Sequence, residues 1–420
     1  MNKTYTMGQG ETLERRLPWL MLFLMSISSI VMIEPSPFDL LSLLALAVLA
    51  FKGLRIPRGM GLVLFYIGLF ILGNIFSFVD VENFADALRY MAVSIFLFLI
   101  FLLFACLIYQ DPQRMLPAFW KGYCIAALIA SVTGILAYFG LLPNAEDFMR
   151  YGRAKSFFKD PNVYTPFLIA PIFYLGLRFT DTRGLARLLL GAAFMICVLG
   201  FLVGFSRGAI GNLAIAALIF FALKFSLKPT LTLFVKYVVY GSIMLLASVV
   251  FIIAALQTEK VGSMLEERAK LVQSYDTGSG GRFDIQKKTL VQGLSDPLGL
   301  GPGEEVLEFG IEPHNVYLYI LSENGWLGLI GFSAFILAGI RIGITCLNRC
   351  RDISDEFLII FTVTLATALQ SLLIDSIHWR HLFVLNGVLW GFSLNALRSV
   401  ALQTGYQKDS DPLMTNRNPA

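Results

Sequence analysis

Residues 88–109 read LRYMAVSIFLFLIFLLFACLIY, and their one charge, Arg89, stands at the edge of the run. A helix needs about 20 predominantly apolar residues to cross a hydrocarbon layer, and this stretch supplies them. It does not alternate apolar with polar positions, as a strand of a membrane barrel must. Outward from it, similar runs recur at 19–33, 38–51, 60–79, 119–140, 162–179, 185–205, 208–223, 231–256, 326–346, 357–375 and 381–400. With 56% apolar and 15% charged residues, the chain reads as an all-α integral membrane protein of about twelve transmembrane helices, without a large soluble core.

The runs divide the chain. Residues 1–18 form an N-terminal tail, 19–256 the first nine helices, 257–313 a large polar loop, 314–400 helices ten to twelve, and 401–420 a polar tail. The first two runs are short and flank Glu34-Pro-Ser-Pro37, which predicts a tight helical hairpin. Arg15-Arg16 before an apolar run also suits a signal peptide, but no small-residue cleavage site follows, so a first anchor helix is expected. All five cysteines lie in or beside apolar runs, which argues against a disulfide framework.

Basic residues orient such a chain, because short cytoplasmic loops collect Lys and Arg. With the N-terminus inside, 20 of the 33 bases fall on inner segments, and ten of the other 13 lie in the two long loops 141–161 and 257–313. Both termini are then cytoplasmic, and the long loops face outward as a small helical subdomain. His314, His378 and His381, the three histidines, all fall on that outer side.

The outer side also holds the candidate chemistry. The loop 257–313 carries ten acids and six bases. Arg207, in Phe-Ser-Arg-Gly at 205–208, opens a helix whose free amides and bidentate guanidinium suit an anion. Arg282 follows Gly278-Ser-Gly-Gly281, whose backbone can form an anion-binding nest or simply a flexible tip. His314, in Glu312-Pro-His-Asn, stands at the seam of loop and bundle, able to accept a proton near neutral pH. Asp160 and Asn162 suit either sugar hydroxyls or the capping of the next helix. Asp375 and His378, three residues apart, pair if they are helical, and Arg380 and His381 lie beside them. No metal-ligand spacing, activated cysteine or Ser-His-Asp set is apparent, so no metal or other cofactor is expected. Nor is a nucleic-acid partner. Arginines with one histidine equip a site to grip a phosphorylated group and deprotonate a hydroxyl.

The order of these motifs carries a resemblance. Ser-Arg-Gly at 206–208, Gly-Arg at 281–282, Asp-Pro-Leu-Gly-Leu-Gly at 296–301, His-Asn at 314–315 and Glu323-Asn-Gly-Trp-Leu-Gly328 resemble the O-antigen ligase and polymerase superfamily over about 160–400. Asp160-Pro-Asn162 and the late Asp375 with Arg380 are similar to its exopolysaccharide branch. One departure is Gln286, which stands where many relatives carry an aromatic residue four positions after the loop arginine. The resemblance implies transfer of a glycan from undecaprenyl pyrophosphate to a saccharide hydroxyl at the periplasmic face of the bacterial inner membrane, without metal or nucleotide. Arg207 and Arg282 would bind the pyrophosphate and His314 would act as base, with Asn315 and Glu323 among the supporting residues. The acceptor would be a lipid-linked glycan for a polymerase, or lipid A core for a ligase.

Two other readings compete. An exporter of polysaccharide or lipid-linked sugar needs charged or polar groups along a path through the helices, and the middles of the runs hold no acid or base. A protein O-oligosaccharyltransferase shares the donor, but is expected to carry a longer outer C-terminal region.

Overall fold

The structure, a computed structural model, describes residues 9–227, 229–232, 235, 280–350 and 353–410. Its helices are α1 (Gln9–Ser26), α2 (Pro37–Phe51), α3 (Gly61–Phe76), α4 (Phe84–Gln110), α5 (Pro112–Tyr138), α6 (Pro161–Phe167), α7 (Ile169–Asp181), α8 (Gly184–Val203) and α9 (Arg207–Leu227). Then come α10 (Arg282–Ser295), α11 (Glu304–Phe309), α12 (Val316–Arg349), α13 (Asp355–Gln370) and α14 (Arg380–Ser410). A hairpin of two-residue strands, β1 (Met149–Arg150) and β2 (Arg153–Ala154), lies in the loop after α5. The expected run 231–256 and the loop's first part, 257–279, lie outside the described residues.

This is an all-α membrane protein. Among the described residues, seven helical spans are long and apolar enough to cross a bilayer: Gly61–Val79, Phe84–Gln110, Pro112–Tyr138, Pro161–Asp181, Gly184–Val203, Arg207–Leu227 and Val316–Arg349. The sequence led us to expect twelve. At 1.5 Å per residue, α2 with 15 residues and α13 with 16 fall short of a full crossing. α14 is long enough, but it is a bundle-centre helix that faces protein, so it carries Asn386 and Ser393, both fully buried, among its apolar residues.

Glycines set the closest helix approaches, as they do where lipid supplies little drive for helices to associate. A Cβ on Gly387 or Gly391 of α14 would stand 2.5 Å from the Phe101 carbonyl or 2.4 Å from that of Ala105 on α4. α3 meets α12 in the same way, a Cβ on Gly331 falling 2.4 Å from the Phe70 amide. The expected α1–α2 hairpin is not what forms. α1 packs on α5, where Gly122 lets the Leu22 carbonyl approach, while α2 lies along α4. Their connection splays because Glu34 is drawn to Lys159 and Arg380, on two other segments.

Two helix ends also differ from the sequence reading. α12 begins at Val316, ten residues before the apolar run at 326, and breaks at Gly325 (φ 65°). α14 continues past 400 to Ser410.

The connections sort into two ends. At one, segment 27–36 touches 139–160, segment 280–315 touches 371–379, and Arg380, just after the latter, reaches Glu34 and Asp39. At the other, Arg178 pairs with Glu356 at 2.5 Å and Lys224 with Asp355, joining α7 and α9 to the start of α13.

Candidate functional site

At the long-loop end, three segments converge on the last turn of α13 and the residues after it. From α9, Asn212 Nδ2 donates to Gln370 Oε1 at 2.5 Å and to Thr367 Oγ1 at 3.2 Å. Gly208, next to Arg207, lies so close that a Cβ would meet Gln370 Nε2 at 3.1 Å. From α10, Arg282 donates to the Leu373 carbonyl. From α12, the Val316 amide donates to the Ser371 carbonyl at 3.0 Å and the Tyr317 hydroxyl to that of Ala368 at 3.1 Å. Arg207, Arg282 and His314 therefore head three elements gathered round one helix end.

Arg207 is half-buried at the first position of α9. The amides there are not all free, as the sequence had suggested: Ser206 Oγ accepts the Ala209 N–H at 3.3 Å. Ser206 in turn donates to Asn162 Oδ1 at 2.9 Å. Asp160 caps α6 by accepting the Asn162 amide at 2.7 Å and pairs with Arg150 at 3.3 Å. Of the two sequence readings for Asp160, capping is thus the contact formed, and Asn162 ties that cap to the turn carrying Arg207.

Arg282 opens α10 after Gly281. Gly278 and Ser279, half of the expected anion nest, lie outside the described residues. The Gly280 amide is occupied by the chain's own Asp284 carboxylate at 2.9 Å. That hydrogen bond and Lys288 at 3.0 Å hold the Asp284 carboxyl below its ordinary pKa.

His314 is exposed, between the buried Pro313 and the half-buried Asn315, with φ 50°. Asn315 caps α12, its side chain accepting the Tyr317 and Leu318 amides at 3.0 and 3.2 Å. Glu323 is fully buried and accepts the Gly303 amide at 2.8 Å, while its backbone carbonyl accepts Gly301 N–H at 3.1 Å. The Asp296–Gly301 loop thereby docks on the break in α12. Gly299 and Gly325 meet there so closely that a Cβ on Gly325 would stand 2.3 Å from the Pro297 carbonyl. Two of the motifs behind the family resemblance are therefore halves of one joint.

The late cluster spreads out. Residues 371–379 are turns, so Asp375 and His378 do not share a helix face. Asp375 is half-buried and accepts the Ile377 amide at 3.0 Å, and burial pushes its carboxyl up to about 7. His378 lies 3.4 Å from Ser94 Oγ and against the Tyr90 ring; burial lowers its pKa to about 4. Arg380 is held in a fork by Asp39, at 2.7 Å through both Nε and Nη2, with Glu34 at 3.4 Å. His381 is buried between the Phe167 and Trp379 rings. With Arg380 it lines a separate small cavity walled by Phe38, Tyr123 and Phe158.

The sequence did not single out Glu304 or Glu305. Glu304 Oε1 accepts the Glu82 and Asn83 amides at 2.9 and 3.2 Å, binding α11 to the turn before α4. Glu305 is fully buried, takes the Thr289 hydroxyl at 2.6 Å, and has its pKa pushed up to about 8 by burial and then by Glu312 and Asp375. The Gly-flanked pair reads as solvated loop charge, so no local signal marks it. Among the described residues, no three His, Cys, Asp or Glu side chains group as metal ligands.

A family model described as O-Antigen ligase matches residues 192–333, about a third of the chain, which supports the O-antigen ligase superfamily. The match takes in Arg207, Arg282, His314, Asn315 and Glu323, and leaves out Asp160, Asn162, Asp375, Arg380 and His381. No curated protein matches the chain.

Proposed function

With residues 192–333 matching the O-antigen ligase superfamily, we infer that this protein is a glycosyltransferase that moves a glycan from undecaprenyl pyrophosphate to a saccharide hydroxyl. The observation that carries the reading is the meeting, at the last turn of α13, of the three segments headed by Arg207, Arg282 and His314. The site faces the periplasm of a bacterial inner membrane, where no nucleotide is at hand and the donor brings its own leaving group.

The hydroxyl oxygen of the acceptor attacks C1 of the donor's reducing-end sugar. The bond from C1 to the pyrophosphate oxygen breaks, and the hydroxyl proton passes to the His314 imidazole. Arg207 and Arg282 neutralise the charge that grows on the departing undecaprenyl pyrophosphate; preorganised charge of this kind is usually the largest catalytic contribution. The base adds roughly 10²–10⁴-fold. The apolar flanks of the bundle receive the polyprenyl chain. The exopolysaccharide-like motifs favour a growing lipid-linked chain as acceptor, hence a polymerase, over lipid A core.

Complementation of a deletion strain with Arg207→Ala or His314→Ala tests this. Accumulated single lipid-linked repeat units mark a lost polymerase. Lipid-linked polymer with bare lipid A core marks a lost ligase. Full-length polysaccharide from both variants would refute the assignment.

A further inference from the structure

We propose that Gln286 is a positioning residue that sets where the His314 imidazole stands, an inference resting on the function proposed above. Arg282 and Gln286 lie one turn apart on α10 and so share a face. The arginine donates to the Leu373 carbonyl, and Gln286 Nε2 donates to the Pro313 carbonyl at 2.8 Å. That carbonyl belongs to the peptide plane from which the His314 φ angle starts.

The need for an anchor there is physical. His314 holds φ 50°, a region residues with a Cβ enter sparingly and keep only when their surroundings impose it. The side chain is exposed. The backbone is held on either side of it. Downstream, Asn315 caps α12 and the Val316 amide is fixed to Ser371. Upstream, Pro313 is buried with its own φ locked by the ring, and Gln286 fixes its carbonyl. With that amide gone, one restraint on the positive φ of His314 is lost, and the imidazole shifts relative to the hydroxyl it must deprotonate. One rigid helix thus orients the leaving-group cation and, one turn on, the base.

The test uses the full-length protein in nanodiscs, with undecaprenyl-pyrophosphate-linked repeat units extracted from the deletion strain as donor. Gln286→Met keeps the length and removes the N–H. Expected is a fall in kcat of about fivefold to tenfold, the weight of one neutral hydrogen bond, with the donor KM unchanged. Gln286→Lys, which restores an N–H donor of similar reach, recovers most of the loss. Thermal midpoints measured alongside separate positioning from unfolding. The inference is overturned if Gln286→Met turns over like the wild type, if the change falls on KM, or if Lys is as impaired as Met. His314→Ala serves as the reference: inactive beside a fully active Gln286→Met, it sinks only this inference; active itself, it sinks the parent reading.

Discussion

The two ends of the bundle are built on different principles. At the short-connection end, helix tips join directly: Lys224 of α9 and Arg178 of α7 meet Asp355 and Glu356 in the first turn of α13. Acids in a first turn also suit the helix dipole. At the long-loop end, contacts run between loops far apart in sequence: Glu34 to Lys159 and Arg380, Glu304 to Glu82, Arg282 to Leu373. Many of these bonds end on backbone amides or carbonyls, and several carboxyls are buried without a cation among the described residues. The first end is a set of ties. The second is an enclosure whose polar groups are held in unfavourable surroundings, the arrangement expected of a site.

The comparison breaks first on activity. Arg207→Ala should lower turnover by about 10²–10³-fold, the usual cost of losing one preorganised charge at a reacting centre. Lys224→Ala removes the same charge from the other end and should leave turnover within about twofold, its loss being one of stability alone. Equal losses from both, assayed on repeat units from the deletion strain, would erase the distinction between the ends.

Stability separates them next. Asp39→Ala strips a mostly buried arginine of its fork, and removing one partner of a buried pair costs about 3–5 kcal/mol. Glu34 stays near Arg380, so the lower part of that range is expected, read as a fall in thermal midpoint in detergent. Arg178→Ala breaks a pair whose side chains keep 41% and 20% of their surface exposed, and should cost no more than about 1 kcal/mol.

The pH response sharpens the contrast. Glu305 has its folded pKa raised to about 8 and Asp375 to about 7. A carboxyl raised on folding keeps its proton in the native state after the unfolded chain has lost its own. Stability from these two groups therefore falls as pH climbs from about 4.5 towards 8, the slope following the excess of bound protons in the folded state. Glu305→Gln should flatten that decline in a thermal-midpoint series; an unchanged slope would mean that Glu305 is already ionised.

Of the candidate residues, Arg207 was legible because it stands where one apolar run stops and the next begins. Ser206-Arg207 and Gly281-Arg282 each open a helix and Pro313-His314 lies just before one, and polar residues at such borders carry information that loop charges do not. What escaped had no such border. Gln286 read as a departure from a pattern, yet it holds a carbonyl. Glu305 looked like one acid among ten. Ser371 and Leu373 matter through backbone oxygens, which every residue has. Asp375 and His378 would have paired only on a helix; the apolar run extends to 375, but α13 stops at Gln370. The α1–α2 hairpin failed because adjacency in sequence is a weak guide when charges at the connection have better partners elsewhere.

The sequence by itself determined that these segments are helices in a membrane. A chain in hydrocarbon must satisfy every backbone amide within its own segment, and run length alone reveals where that happens. It also led to the expectation that the candidate charges lie on one side, from counting bases along alternating connections. Only the tertiary structure decided which helices touch, how the Asp296–Gly301 loop closes on the break at Gly325, and which carbonyls hold Arg282 and the turn at His314. Such contacts depend on close packing between segments up to hundreds of residues apart, and their partners are backbone atoms common to every residue.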